Sequence, residues 1–114
     1  MAQVRQTAYK VWISDLTRGE YKKEEGEWSP NYVLVKGKKV SRVNIIATVV
    51  NTFNEGGFGS VELDDGSGNI SGRVWGEDVP MLDKVSIGDS VLVIGRPRQF
   101  GEQIYVALEI IKKI

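Results

Sequence analysis

The amino-acid sequence predicts an all-β protein, a small barrel of five strands with one short helix. Apolar and polar residues alternate with a period of two along much of the chain, which is typical of strands. Glycine is frequent, at 13 of 114 residues, and several glycines fall between the alternating runs, where turns are expected. Only residues 78–84 have a helical pattern, with Pro80 suited to a first helical turn.

The first 35 residues are less regular than the rest. Residues 8–16 form a short β-prone piece, residues 17–30 read as a polar loop, and residues 31–35 form a short strand. A turn signal, Lys36-Gly37-Lys38, follows this strand. We therefore expect residues 1–35 to be an extension that packs on a barrel formed by residues 36–114, all within one domain.

The barrel strands follow from the positions of the turn residues. Residues 54–59 and 97–101 are expected loops, residues 64–69 a strong hairpin turn, and Gly88-Asp89 the turn after the helix. The expected strands, in chain order, are residues 40–53, 59–63, 70–75, 90–96 and 103–111. The first is almost continuously apolar, so it is buried on both faces or bends between two sheets.

Five strands with a helix between the third and the fourth are the layout of an OB-fold, a partly open Greek-key barrel. The stretch from Ile87 to Gly95 supports this, because a Gly-Asp turn leads into an apolar strand. That strand ends at Gly95, where a barrel must bend tightly.

Composition excludes several classes of chemistry. The chain has no Cys and no His, which excludes disulfides, thiol nucleophiles, imidazole bases and Cys- or His-ligated zinc. The glycine-rich segment at residues 56–59 lacks the Lys-Ser/Thr of a phosphate-binding P-loop. The acidic residues Glu62, Asp64 and Asp65 are explained by turn chemistry better than by metal binding. We therefore expect a non-enzymatic protein with no metal and no cofactor.

The charge is balanced overall but is distributed unevenly. Lys and Arg number 15, as do Asp and Glu, which counts against a strong, indiscriminate binder of duplex DNA. Residues 1–57 carry 9 basic and 6 acidic side chains, and residues 58–114 carry 6 and 9. No apolar leader or membrane-spanning run is visible, so the expectation is a soluble, cytoplasmic, nucleoid-associated protein without a membrane partner.

Several segments resemble one family. Residues 25–32 (EGEWSPNY), the turn at residues 64–68 (DDGSG) and the strand residues 73–75 (RVW) resemble the middle subunit of archaeal replication protein A. The resemblance covers roughly residues 8–111 and rests on the order and spacing of these segments. The resemblance implies an OB-fold subunit of a single-stranded-DNA-binding complex in replication, repair or recombination, assembled with partner subunits. It also implies a helix after the barrel, whereas this sequence ends at Ile114, with the last strand.

Single-stranded nucleic acid needs planar side chains for its bases and cations for its phosphates. Alternation places Trp75 and Arg73 on the outer face of the third barrel strand, while Ile70 and Val74 point inward. The alternative for Trp75 is a role in the core at the barrel end. The same family also tends to carry a stacking aromatic in the loop between the fourth and fifth strands.

Other candidates lie in loops and turns. Arg96, Arg98 and Phe100 share the expected loop between the last two strands, where Phe100 stacks on a base or plugs the barrel mouth. Phe53 and Phe58 flank the glycine-rich loop, where they contact nucleic acid or pack on each other. Two further candidates, Lys38 and Lys39, belong to the basic run of residues 36–42.

Three further aromatic residues have other expected positions. Tyr105 lies on the outward register of the last strand, as either a surface or an interface residue. Trp12 and Trp28 are expected to anchor the N-terminal extension by packing across the barrel.

The predicted function is therefore single-stranded DNA binding. Two alternatives remain: a protein-interaction subunit of a hetero-oligomeric OB-fold complex with weak DNA binding, and an RNA-binding OB module.

Overall fold

The computed structural model describes residues 8–23 and 31–114, and most of these residues are in strands. Residues 25–30, which carry part of the family resemblance and Trp28, lie outside the described part. The elements, in chain order, are β1 (Tyr9–Lys10), α1 (Ile13–Thr17), β2 (Glu20–Lys22), β3 (Tyr32–Val35), β4 (Lys38–Val40), β5 (Val43–Glu55), β6 (Phe58–Asp64), β7 (Asn69–Trp75), a 3₁₀ helix (Gly76–Lys84), β8 (Ser90–Phe100) and β9 (Gln103–Lys113).

Strands β5 to β9 close the barrel, and the predicted OB-fold class is confirmed. They neighbour each other in the order β5-β6-β7-β9-β8, and β8 pairs back onto β5. The β7–β9 pairing is parallel and the other barrel pairings are antiparallel. Strand β5 pairs with β8 up to Thr48 and with β6 from Thr48 onward. The long apolar strand is therefore not buried on both faces, since Ile46 and Val50 are exposed, and it passes from one side of the closed barrel to the other.

A helical element covers each end of the barrel. The 3₁₀ helix between β7 and β8 buries Val79 and Leu82 in the core, at the end where β6 begins. Gly59 leaves room for this contact, because a Cβ there would lie 2.9 Å from Leu82 Cδ1. The predicted helix at residues 78–84 is confirmed in position, but it is a 3₁₀ helix and begins at Gly76.

At the other end lies α1, which buries Ile13 and Leu16 completely. The prediction of a strand over residues 8–16 was therefore wrong, since only Tyr9 and Lys10 are extended in a sheet. The signal for the helix is not local. It comes from the turn between β6 and β7, more than fifty residues away in the chain.

That turn satisfies the first N–H groups of α1. Asp65 Oδ2 accepts a hydrogen bond from Ile13 N at 2.8 Å, and Ser67 Oγ accepts one from Ser14 N at 3.0 Å. Within the turn, Asp65 Oδ1 also accepts from Ser67 N and Ser67 Oγ. Partial burial acts to raise the pKa of Asp65, but the hydrogen bonds from Ser67, Ile13 and Gly68 outweigh it and hold the pKa below 3.8.

We expect Asp65→Ala to lower the free energy of unfolding by about 1–2 kcal/mol at neutral pH. The reason is that Asp65 caps α1 by accepting the hydrogen bond from Ile13 N, although it is distant in the sequence. The lowered pKa fixes the sign of the pH dependence. The stabilisation is complete at pH values above 3.8, the ordinary pKa of an aspartate. It is lost as the pH falls through the lower pKa of Asp65 in the folded state. Urea unfolding at neutral pH and at acid pH measures both effects. A variant as stable as the parent at neutral pH contradicts this role.

The rest of the N-terminal segment forms a second sheet, β2-β3-β4. Strand β2 lies inside the stretch predicted to be a loop, residues 17–30, so that prediction was wrong for residues 20–22. Val33 of β3 is fully buried in the same apolar cluster as the barrel strands and α1. This shared core supports the proposal that residues 1–35 are an extension packed on the barrel of residues 36–114 within one domain.

Both loops expected beside the site are tight turns. Strand β5 continues to Glu55 and β6 begins at Phe58, so the connection is Gly56-Gly57, whose φ angles of 54° and 83° suit a two-residue hairpin turn. Strand β8 runs through the expected loop of residues 97–101 as far as Phe100. Pro97 is tolerated in this strand because the pairing of β8 with β5 ends at Gly95.

Candidate nucleic-acid interface

The outer face of β6 and β7 carries the first candidate residues. Along both strands, buried residues alternate with exposed or half-buried ones. Phe58 lies directly opposite Trp75 in the β6–β7 ladder, and Ser60 lies opposite Arg73. Trp75 is 46% exposed. Alternation alone had placed Trp75 and Arg73 on this face, and the burial pattern agrees.

A bulge in β5 adds Phe53 to the same face. Before the bulge Val49 is buried opposite Leu63, and after it Asn51 lies opposite Glu62, so Val50 is an extra residue. The extra residue reverses the inward–outward alternation of the strand. Phe53 therefore lies opposite the outward Ser60 and is 48% exposed.

Four aromatic rings form a continuous row, which we call the aromatic strip: Phe53, Phe58, Trp75 and Tyr105. The ring centroids are 6.1 Å apart for Phe53–Phe58, 5.7 Å for Phe58–Trp75 and 6.0 Å for Trp75–Tyr105. The rings are tilted against each other by 51° to 65°. Such tilted contacts hold the rings in place and leave ring surface accessible to other planar groups.

Arg73 lies against the end of the aromatic strip. Its guanidinium carbon is 4.4 Å from the centroid of the Tyr105 ring, within the range of a cation–π interaction. Its Nε also donates to Ser71 Oγ at 3.4 Å. Tyr105 thus contacts both Trp75 and Arg73, and it positions a planar cation beside a planar indole.

Arg96 and Arg98 extend this face across β8. Arg98 lies opposite Tyr105, and Arg96 lies opposite Ala107, whose other neighbour in the sheet is Arg73. Both arginines are half-buried and belong to a strand, not to the predicted loop. Arg98 Nη1 donates to Pro97 O at 2.9 Å. The register therefore brings three arginines to the Tyr105 end of the aromatic strip.

Phe100 stands apart from the strip, at the tip of the β8–β9 hairpin. It is 77% exposed, so it does not plug the barrel mouth. Among residues 8–23 and 31–114, its ring is not within stacking range of another aromatic ring. A ring in this position is available to a ligand that extends past the arginines.

The structure does not bring the two predicted lysines to the aromatic strip. Lys38 and Lys39 belong to β4 of the second sheet. Lys38 Nζ lies 5.9 Å from the Tyr9 ring centroid, and Lys39 Nζ lies 5.1 Å from that of Tyr32. Their charges are therefore placed beside the N-terminal aromatic residues.

Two carboxylates limit the electropositive surface. Glu55 lies opposite Phe58 at the turn, and Glu62 lies opposite Ser71 on the β6–β7 ladder. Each repels a phosphate placed next to it. Glu62 borders the Arg73 side of the strip, since Ser71 also accepts a hydrogen bond from Arg73. The region most favourable to phosphate therefore lies toward Arg96 and Arg98 on β8.

Sequence reasoning was wrong about Trp12 and left Tyr105 undecided. Trp12 is 61% exposed, so it does not anchor the extension by packing across the barrel. Tyr105 joins the strip because β9 runs parallel beside β7, pairing Val106 with Gly72. The parallel β7–β9 pairing of an OB-fold is the signal that could have placed Tyr105 beside Arg73.

Within the described ranges, no three His, Cys, Asp or Glu side chains are grouped so that they could hold a metal ion. No helix in the described part of the chain is long and apolar enough to span a membrane.

Comparison with known proteins shows the family of the barrel. Residues 43–114 match the family of OB-fold nucleic acid binding domains. The chain belongs to this family. The match covers all five barrel strands, so the aromatic strip and the three arginines lie within the family domain. The family is described by binding and not by catalysis.

Solved structures share the fold. The chain superposes on a subunit of a replication protein A heterotrimer bound to single-stranded DNA with a TM-score of 0.79, at 17% identity, covering 96% of this chain and 82% of that one. It also matches the second OB-fold domain of replication protein A from Methanococcus maripaludis. That match has a TM-score of 0.52 at 28% identity, covering 66% of this chain and 84% of that one.

One curated relative is an uncharacterized protein of Methanocaldococcus jannaschii, MJ1654. It is 31% identical over 111 residues, which is 97% of this chain. The chain spans 43% of the length of that relative.

Proposed function

We propose that this chain binds single-stranded DNA by stacking bases on the aromatic strip and contacting phosphates through Arg73, Arg96 and Arg98. The observation that carries the proposal is the continuous row of four rings ending at these arginines on one exposed face. Sequence-tolerant binding of single strands combines these two features, because every base has a π-face and every nucleotide has a phosphate.

The similarity to replication protein A supports a more specific role. The Methanococcus maripaludis domain is an OB-fold of replication protein A at 28% identity. We infer that the chain acts as a replication protein A-like subunit, with partner subunits, in replication, repair or recombination. Phe100 provides a further stacking ring at the hairpin tip.

The direct test is a titration of a labelled oligo-dT of about 12 nucleotides, a length within the range that one OB-fold covers. We expect saturable binding that weakens with salt, with a logarithmic slope of about −0.7 for each phosphate contact. Competition by poly-U and poly-dT separates RNA from DNA preference. No saturable binding at low salt would overturn the proposal, and stronger competition by poly-U would favour the RNA-binding alternative.

The arginine cluster makes a separate prediction. Arg73→Gln removes a cation beside the strip, so we expect weaker oligo-dT binding and a salt slope reduced in magnitude by about 0.7. Lys38→Gln is the matched control, because Lys38 lies beside Tyr9 in the second sheet. An unchanged slope for Arg73→Gln, or an equal change for both variants, is inconsistent with phosphate contacts at this end of the strip.

A further inference from the structure

A small hollow lies beside the aromatic strip, at the seam between β7 and β9. These parallel strands pair at Gly72–Val106 and at Arg73–Ala107. On the N-terminal side of these pairs the seam opens into a hollow of about 180 Å³. We call it the polar hollow, because most of its lining side chains carry oxygen or amide groups, among them Glu62, Asn69, Ser71, Glu102 and Gln103.

The polar hollow is continuous with the aromatic strip through Ser71. Ser71 Oγ accepts the hydrogen bond from Arg73 Nε at 3.4 Å, and the same guanidinium lies 4.4 Å from the Tyr105 ring centroid. On its other side, Gln103 lies opposite Phe100 in the β8–β9 ladder. A nucleic-acid strand that contacts both the Tyr105 end of the strip and the exposed Phe100 ring therefore passes over the hollow.

Carboxylates dominate the charge of the polar hollow. Glu62 and Glu102 line it, and Asp64 adds a third negative charge one pair further along the β6–β7 ladder. Within residues 8–23 and 31–114, the carboxylate of Glu62 has no hydrogen-bond or ion-pair partner. Its oxygens are therefore available to a group that donates hydrogen bonds.

The cations around the polar hollow lie to one side of it. Arg73 and Arg98 are on the side of the aromatic strip. Arg18 follows Thr17 in the sequence but lines a separate hollow. A phosphate is attracted toward the strip and repelled from the hollow, whereas an uncharged base is not repelled. The arrangement suits a nucleotide whose base edge enters the hollow while its phosphate lies toward Arg98.

We propose that the polar hollow binds the edge of one base that carries an amino group, as cytosine, adenine and guanine do. The proposal rests on single-stranded DNA binding by the aromatic strip and adds a preference among bases to it. An ionised carboxylate only accepts hydrogen bonds, and the amino groups of these bases donate them. Bases of single strands are read along such edges. Glu62 is the specificity-determining residue.

Thymine and uracil do not satisfy the polar hollow. Where cytosine carries its amino group, these bases carry an oxygen, which a carboxylate repels. The side-chain amides of Asn69 and Gln103 both donate and accept, so they tolerate either kind of base. Discrimination therefore falls to the carboxylates. Glu62 is half-buried, whereas Glu102 is exposed at the hairpin turn, so the hydrogen bond to Glu62 is less weakened by water.

The test compares oligo-dC with oligo-dU, each of about 12 nucleotides, by fluorescence anisotropy at neutral pH. The parent should bind oligo-dC more tightly by roughly fivefold or more, since one good base contact discriminates by about this factor. Glu62→Gln keeps the size of the side chain and removes its charge. This variant should bind oligo-dU more tightly than the parent does, and its ratio of the two affinities should fall toward one.

Glu55→Gln is the matched control, because Glu55 lies opposite Phe58 at the β5–β6 turn and does not line the hollow. It should strengthen binding of both oligonucleotides by the same factor and keep their ratio.

The outcomes separate this proposal from DNA binding itself. If the parent binds neither oligonucleotide, single-stranded DNA binding is wrong, and the base preference with it. If both bind but oligo-dC is not preferred, the polar hollow does not select bases, although the strip still binds DNA. The same conclusion follows if Glu62→Gln leaves the ratio unchanged, or if Glu55→Gln lowers it equally.

Discussion

Replacing Trp75 with alanine should weaken oligo-dT binding by roughly 5- to 150-fold, the equivalent of about 1–3 kcal/mol for one stacked base. Trp75 is the third ring of the aromatic strip, and it contacts both Phe58 and Tyr105. Its removal interrupts the row between its two ends. Anisotropy titrations of the parent and the variant at one fixed salt concentration measure the change.

Two further variants make this result specific. Trp12→Ala removes a more exposed tryptophan, at 61% against 46%, from a different surface, and it should leave oligo-dT affinity unchanged. Trp75→Phe keeps a planar ring and should retain most of the affinity. If Trp75→Ala binds as tightly as the parent, the aromatic strip is not the stacking surface.

Replacing Gly95 with alanine should lower the free energy of unfolding by about 2–3 kcal/mol. A Cβ at this position would collide with the backbone carbonyl oxygen of Ala107 and would lie 2.7 Å from Val106 Cγ1. The collision involves backbone atoms inside the β8–β9 ladder, so a side-chain rotation cannot relieve it. Urea unfolding monitored by circular dichroism measures the loss.

Gly68→Ala is the matched control for this substitution. A Cβ there would meet Ile13 Cγ2 at 3.6 Å, an ordinary van der Waals contact. We expect a change in unfolding free energy within about 0.5 kcal/mol. Equal effects of the two alanine substitutions would contradict the role given to Gly95, which is to allow the close approach of β8 to β9.

The barrel could be predicted from sequence because its signals are local. Alternation in β7 and β9, the Asp-Asp-Gly turn and the apolar run of β5 each lie within one short segment. The helix α1 could not be predicted in this way, since Asp65 and Ser67 satisfy its first N–H groups from another turn. The two expected loops, residues 54–59 and 97–101, are mostly strand. Strands β5 and β6 stay paired up to the tight Gly56-Gly57 turn, and β8 stays paired with β9 as far as Phe100.

The outward orientation of the site residues was predictable only where alternation was undisturbed. Trp75 and Arg73 follow directly from the period of two along β7. Phe53 is outward only because of the bulge at Val50, which no local pattern reveals. The position of Tyr105 depends on the parallel pairing of β9 with β7, a property of the complete barrel. Lys38 and Lys39 were predicted as binding residues from their charge alone, and the fold places them in the second sheet.

The most direct measurement is a nuclear magnetic resonance titration of the isotope-labelled chain with oligo-dT. We predict chemical-shift changes concentrated at Phe53, Phe58, Arg73, Trp75 and Tyr105, with Arg96 and Arg98 also affected. The amides of Ile46 and Leu92, which pair on the β5–β8 side of the barrel, should keep their chemical shifts. Shift changes centred on Ile46 and Leu92 or on the β2-β3-β4 sheet, or no changes at saturating oligo-dT, would contradict single-stranded DNA binding by the aromatic strip.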